Sequence, residues 1–193
     1  MAKILIVDNY DSFTYNLVHY VNECPGHTTE VLRNDKIDLA SVEQYDGILL
    51  SPGPGIPSES GDLLRIIDMY KEKKRIFGVC LGLQAIAEVF GGSLLNTDKV
   101  YHGVATTITL LEPVHYLFGG LPERFQGGRY HSWVVRRDRV PETLRIDAVD
   151  DEQYIMAMSH RELDVCGVQF HPESILTPDG KKIVFNWLRG FES

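Results

Sequence analysis

Cys80 stands between two glycines in Gly78-Val-Cys-Leu-Gly82, where the apolar run Ile76 to Val79 gives way to helical spacing at Leu83, Ile86, Ala87 and Phe90. A thiol at such a strand-to-helix turn has the form of a G-x-nucleophile-x-G elbow with sulfur as the nucleophile. The glycines leave room for a tight turn that pushes the side chain between them outward. The position is also a helix N-terminus, where the dipole favours thiolate over thiol. A carbonyl attacked here would develop its negative charge near the backbone N–H of Leu81. The five-residue motif alone describes a small buried cysteine equally well. The strand before it and the helix after it favour the nucleophile.

A thiolate nucleophile needs a base, and the base needs an orienting group. Among seven histidines, His171 is the strongest candidate, because Val165 to Phe170 reads as a strand ending at His171-Pro172-Glu173. Residues i and i+2 of an extended chain face the same side, which makes imidazole and carboxylate neighbours. Pro172 also favours extended geometry at His171. His131, in Tyr130-His131-Ser132, is the rival base. Ser51-Pro-Gly-Pro-Gly55 lacks the lysine and spacing of a phosphate loop. As a rigid turn at a strand end it can aim a backbone N–H, that of Gly53, at the same oxyanion. Gln84, four residues after Cys80, lies on the cysteine's side of the helix and can hold a polar substrate. No metal-ligand cluster is recognised and the G-x-G-x-x-G fingerprint is absent after the first strand, so neither metal nor cofactor is expected.

The elements that must position these groups alternate at first. Lys3 to Val7 reads as a buried strand, and Thr29 to Arg33, Gly47 to Ser51 and Ile76 to Val79 read as further strands. Helices are marked by Phe13, Leu17, Tyr20 and Val21, by Leu63, Ile66, Ile67 and Tyr70, and by the run behind Cys80 that stops at Gly91-Gly92. From Ser93 onward strand follows strand: Ala105 to Leu111, Arg129 to Val135, Arg145 to Val149, Tyr154 to Ser159 and Val165 to Phe170. A closing helix after Pro178-Asp179-Gly180 places Ile183, Val184, Trp187, Leu188 and Phe191 inward. The expectation is an α/β three-layer sandwich. Its central sheet is mixed and mostly parallel, flanked by helices, with a smaller antiparallel sheet. Sites in such folds form at the carboxyl ends of strands.

With 193 residues and neither repeat nor linker, residues 1–193 are read as one domain. A net charge of −8 argues against nucleic acid as the main partner. Three widely spaced cysteines, no secretory leader and no apolar run near 20 residues predict a cytoplasmic protein without a membrane partner.

Taken together, the segments DNYDSFTYN (Asp8 to Asn16), RND (Arg33 to Asp35), SPGPG, GVCLGLQ, HG (His102-Gly103), RYHS (Arg129 to Ser132) and GVQFHPES (Gly167 to Ser174) resemble the class I (triad) glutamine amidotransferases. The likeness covers essentially the whole chain. It is closest to the small subunits of anthranilate synthase and of 4-amino-4-deoxychorismate synthase. The resemblance implies a Cys80, His171, Glu173 triad, with Gly53 and Leu81 as oxyanion donors. It implies that Gly53, Pro54, Gly55, Gln84, Ser132 and Trp133 bind glutamine, which demotes His131 to a neighbour of that segment. It further implies ammonia transfer to a chorismate-using large subunit, in tryptophan or in folate biosynthesis. The surface near Asn9 to Ser12 and His102 is expected to contribute to docking. Two departures are Leu83, where the family commonly has His, and Trp133, where it commonly has Leu. A free-standing γ-glutamyl hydrolase and a non-catalytic interaction domain are the readings from other classes.

Overall fold

The computed structural model describes residues 1–192. Strands β1 (Ala2–Asp8), β2 (His27–Arg33), β3 (Gly47–Leu50) and β4 (Arg75–Val79) form where the apolar runs lie. They are separated by α1 (Thr14–Glu23), a 3₁₀ turn (Leu39–Gln44) and α2 (Leu63–Tyr70). The chain then enters α3 (Leu81–Val89) with Cys80 alone between strand and helix. Beyond it come β5 (Leu94–Asn96), β6 (Val104–Leu110), β7 (Arg124–Arg129), β8 (Trp133–Val135), β9 (Leu144–Asp150), β10 (Ile155–His160), β11 (Val165–Val168) and α4 (Gly180–Arg189).

Nine strands make one mixed sheet in the order β2-β1-β3-β4-β11-β10-β9-β6-β7, and β5 with β8 forms a small antiparallel pair. Neighbours run parallel from β2 to β11 and antiparallel from β11 to β7. The α/β class, the flanking helices and the second small sheet are as expected. Most of the antiparallel strands extend the main sheet instead of standing apart. β11 is the hinge of this arrangement, because it pairs parallel with β4 and antiparallel with β10.

Alternation along each parallel strand builds the layers. Ile4 and Ile6 pack with Leu17 and Val21 of α1 and Ile183, Val184 and Trp187 of α4. Leu5 and Val7 pack on the other face with Ile66 and Ile67 of α2 and Ile86 of α3. Each such fully buried aliphatic side chain contributes roughly 1.5–3 kcal/mol. Among the described residues, no helix is long and apolar enough to cross a membrane.

One expected element divides. Arg129 to Val135 is not a single strand: β7 ends at Arg129 and β8 begins at Trp133 in the other sheet. Between them, Thr97 N–H donates to Ser132 O and Tyr101 N–H donates to His131 O, so the loop before β6 takes the carbonyls a sheet neighbour would have taken. No glycine or proline signals that break.

Candidate active site

Cys80 caps the N-terminus of α3 with φ 53° and ψ −101°, a backbone state that L-residues avoid. Holding such a residue costs on the order of 1–3 kcal/mol and requires its surroundings to fix it. They do. Cys80 N–H donates to Val168 O at 2.8 Å, and Gln84 N–H donates to Cys80 O at 3.1 Å. The flanking glycines permit the close approach. A Cβ on Gly78 would lie 2.5 Å from the carbonyl carbon of Gly82, and one on Gly82 would lie 2.8 Å from Leu50 Cβ.

β11 runs beside β4 with Val168 opposite Val79, so the segment after it emerges next to Cys80. His171 Nδ1 lies 2.6 Å from Glu173 Oε1, both side chains being buried. A carboxylate at that distance makes Nδ1 the protonated, donating nitrogen. Nε2 is buried and has no hydrogen-bond partner, which leaves it free for proton transfer. Burial opposes charge on this ring, but Glu173 and Cys80 outweigh it and hold the His171 pKa well above its ordinary value. The backbone is pinned too: His171 N–H donates to Gly128 O at 2.9 Å, and Thr177 Oγ1 donates to His171 O at 2.6 Å. The rings of Tyr130 and Phe13 pack against His171 with centroids at 4.8 and 5.4 Å.

The rival histidine is spoken for. Arg129 Nε donates to His131 Nε2 at 3.1 Å, so Nδ1 carries the proton and donates to Trp133 O at 2.9 Å. Burial first, then the Arg129 charge, push its pKa down to about 3, which keeps the ring neutral. Arg129 is itself fully buried, paired with Asp150 at 2.5 Å and set over the Tyr101 ring at 3.5 Å. His131 is therefore a brace for the 130–133 segment.

Gly53 follows β3, at the same carboxyl edge. Asn9 fastens this turn, donating from its backbone to Ser51 Oγ (2.9 Å) and from its side chain to Ser51 O (2.8 Å). Asn34 in turn donates to Asn9 Oδ1 at 3.0 Å. A side chain at Gly53 would strike Asn9 and Leu81, its Cβ lying 2.6 Å from Asn9 Cβ and 2.7 Å from Leu81 Cδ2. Gly53 thus packs against the Leu81 side chain. Asn9 is buried, so of the expected docking residues Tyr10, Ser12 and His102 are the exposed ones.

A cavity of about 330 Å³ opens over Cys80. Gly53, Pro54, Gly55, Gln84, Ser132 and Trp133 all line it, together with Val100, Tyr130 and His131. His171 and Glu173 are buried beside Cys80 and do not line the cavity. Gln84 is already engaged, since its amide donates to Trp133 O at 2.8 Å and to Gln169 Oε1 at 3.2 Å. Gln169 is the residue that sequence reasoning missed. Its amide lies 3.5 Å from Cys80 Sγ, and it is fully buried. The signal was a lone carboxamide inside the apolar run Val165 to Phe170. The whole set offers a thiol nucleophile, an imidazole held charged by a carboxylate, and backbone donors at one end of a small polar cavity. That is equipment for cleaving an amide through a thioester.

Known proteins place the chain in a family. The glutamine amidotransferase class-I family matches residues 5–191. The chain is 44% identical to the chloroplastic anthranilate synthase beta subunit 2 of Oryza sativa subsp. japonica, over 98% of this chain and 71% of the relative. It is 42% identical to the aminodeoxychorismate/anthranilate synthase component 2 of Bacillus subtilis, over 97% of this chain and 96% of the relative. The structure of a glutamine amidotransferase from Thermotoga maritima shares the fold, with a TM-score of 0.80 at 13% identity, over 98% of this chain and 97% of that one. The chain belongs to the class-I glutamine amidotransferase family.

Proposed function

We propose that this chain is the glutaminase subunit of an anthranilate synthase, releasing ammonia from L-glutamine for a chorismate-using large subunit. The observation that carries the reading is the strained Cys80 beside the buried His171–Glu173 pair, at the floor of a cavity of amino-acid size.

The Cys80 thiolate attacks the side-chain amide carbon of glutamine. The tetrahedral oxyanion is held by the N–H groups of Leu81 and Gly53; removal of one such donor typically costs about 10²–10³ in rate. The His171 imidazolium donates its Nε2 proton to the departing nitrogen, ammonia leaves, and a γ-glutamyl thioester remains. The now neutral His171 takes a proton from water, the hydroxide attacks the thioester, and glutamate departs as the thiolate is restored. The sum is glutamine plus water giving glutamate plus ammonia.

With the Gln84 amide donating to Trp133 and Gln169, its oxygen is left to accept from the α-ammonium group, beside Ser132 and Trp133. Pro54 and Gly55 close the other wall. The partner docks over the exposed Tyr10, Ser12 and His102. No metal or cofactor enters the reaction. Three free cysteines among the described residues suit a reducing cytoplasm.

The second reading is the equivalent subunit of aminodeoxychorismate synthase, or one serving both enzymes; the Bacillus subtilis relative carries both names. Purifying the complex with the large subunit and identifying the product made from chorismate and glutamine distinguishes them. Anthranilate supports the proposal, and aminodeoxychorismate as sole product replaces it with the second reading. Glutamine turnover by the isolated chain at its full rate, with no complex formed, supports a free-standing hydrolase instead.

A further inference from the structure

At the sheet edge opposite the Cys80 site, the chain leaves α1 at Cys24, turns through Pro25-Gly26 and starts β2 at His27. Gly26 has φ +89°, and its carbonyl accepts from Ala2 N–H at 3.0 Å, which fixes the turn. Across the turn lies the end of the chain: Phe191 sets its ring edge-on to His27 at 6.1 Å, and Glu192 follows. The Cys24 sulfur, a His27 ring nitrogen and a Glu192 carboxylate oxygen all lie within 4.8 Å of one another.

Two further observations separate this cluster from ordinary packing. Both ring nitrogens of His27 are buried, and neither has a hydrogen-bond partner. Such a ring is costly unless something satisfies it. The donor set is also chemically mixed in a telling way. One thiol, one imidazole and one carboxylate match the ligands of zinc-class ions, whereas calcium and magnesium select oxygen alone. Tetrahedral bonds of about 2.0–2.3 Å place ligand atoms roughly 3.3–3.8 Å apart, so the cluster needs a contraction of about 1 Å. Glu192 is exposed, so its carboxylate has room to move toward the other two ligands.

We propose that Cys24, His27 and Glu192 form a binding site for a zinc-class divalent cation, with water as the fourth ligand. Bound metal fastens the end of α4 to the α1–β2 corner. The Glu23–Lys181 ion pair at 2.6 Å already ties the same two helices. The site lies at the amino ends of the parallel strands, away from the chemistry, so its role is structural. Sequence spacing hid it, because Cys24-x-x-His27 gains its third ligand only from the far end of the chain.

The test uses the reduced chain carrying Cys80→Ser, which removes the thiol of the glutaminase site as a competing ligand. Cobalt(II) titration is expected to give a thiolate-to-cobalt charge-transfer band and tetrahedral d–d bands that saturate at one equivalent. Zinc should abolish both bands. Adding Cys24→Ser should remove the charge-transfer band, and adding Glu192→Gln should weaken affinity about tenfold or more while the band remains. Zinc should also protect Cys24 from iodoacetamide, read by mass spectrometry without any change to the ligands. Absence of the band in the Cys80→Ser protein overturns the proposal, as does a band that survives Cys24→Ser. In the otherwise unchanged chain, Cys24→Ser leaves glutamine hydrolysis at its original rate.

Discussion

At the scale of single residues, the chemistry turns on a proton held where it is needed. His171 is buried, which disfavours its charge, yet Glu173 at 2.6 Å and the neighbouring Cys80 keep it charged well above the ordinary value. Glu173→Gln removes the main opposing influence and leaves burial in place. The His171 titration midpoint, followed by ring NMR signals, should then fall toward its ordinary value. The sign carries over to stability. A raised histidine pKa contributes stability that is fully present below the unfolded value and fades as pH rises through the folded one. The variant should therefore lose most stability relative to wild type at the acidic end of that window. Glutaminase rate should fall on the order of 10²–10⁴-fold. An unchanged midpoint would show that Glu173 does not hold the ring. His131 makes the contrast. It is a histidine of similar burial, but it faces a guanidinium instead of a carboxylate and stays neutral.

At the scale of elements, the site is an agreement among strand ends. β1, β3, β4 and β11 deliver Asn9, Gly53, Cys80 and His171 to one carboxyl edge, and the sheet order makes those ends adjacent. The elbow depends on α3 lying almost against β3. Gly82→Ala forces a methyl to within 2.8 Å of both Leu50 Cβ and Leu50 O, so it should lower stability by about 1–3 kcal/mol and displace Cys80. Denaturant midpoint and Cys80 alkylation rate check the two effects. The 130–133 segment depends on the Arg129–Asp150 pair. Asp150→Asn leaves a buried guanidinium without its charge partner and should cost about 3–5 kcal/mol in urea unfolding. These placements differ in how far the sequence announces them. Cys80 was legible because glycines, strand and helix make one contiguous signal, and His171 with Glu173 because period two puts them together. The break between β7 and β8 was not, since its cause is a pair of hydrogen bonds from Thr97 and Tyr101, remote in sequence and unmarked by turn residues. Gln169 read as strand filler because its role exists only once β11 lies beside β4.

At the scale of the whole molecule, one continuous sheet carries the glutaminase edge at the carboxyl ends and the Cys24–His27–Glu192 corner at the opposite ends. The layer order was readable from alternation, as Ile4 and Ile6 against Leu5 and Val7 illustrate. That the sheet is mixed was readable as well; the order of its antiparallel strands was not, because strand pairing partners leave no local mark. The cavity over Cys80 occupies about 330 Å³, and the chemistry proposed for it ends with ammonia, which the proposed large subunit would receive. The most direct measurement is isotopic. The complex with the chorismate-using subunit is supplied with amide-¹⁵N glutamine and excess unlabelled ammonium. The wild-type complex is expected to place ¹⁵N in the aromatic product. The Cys80→Ser complex is expected to form only unlabelled product, from ammonium at an undiminished rate. Labelled product from the Cys80→Ser complex would contradict the role of Cys80 as nucleophile.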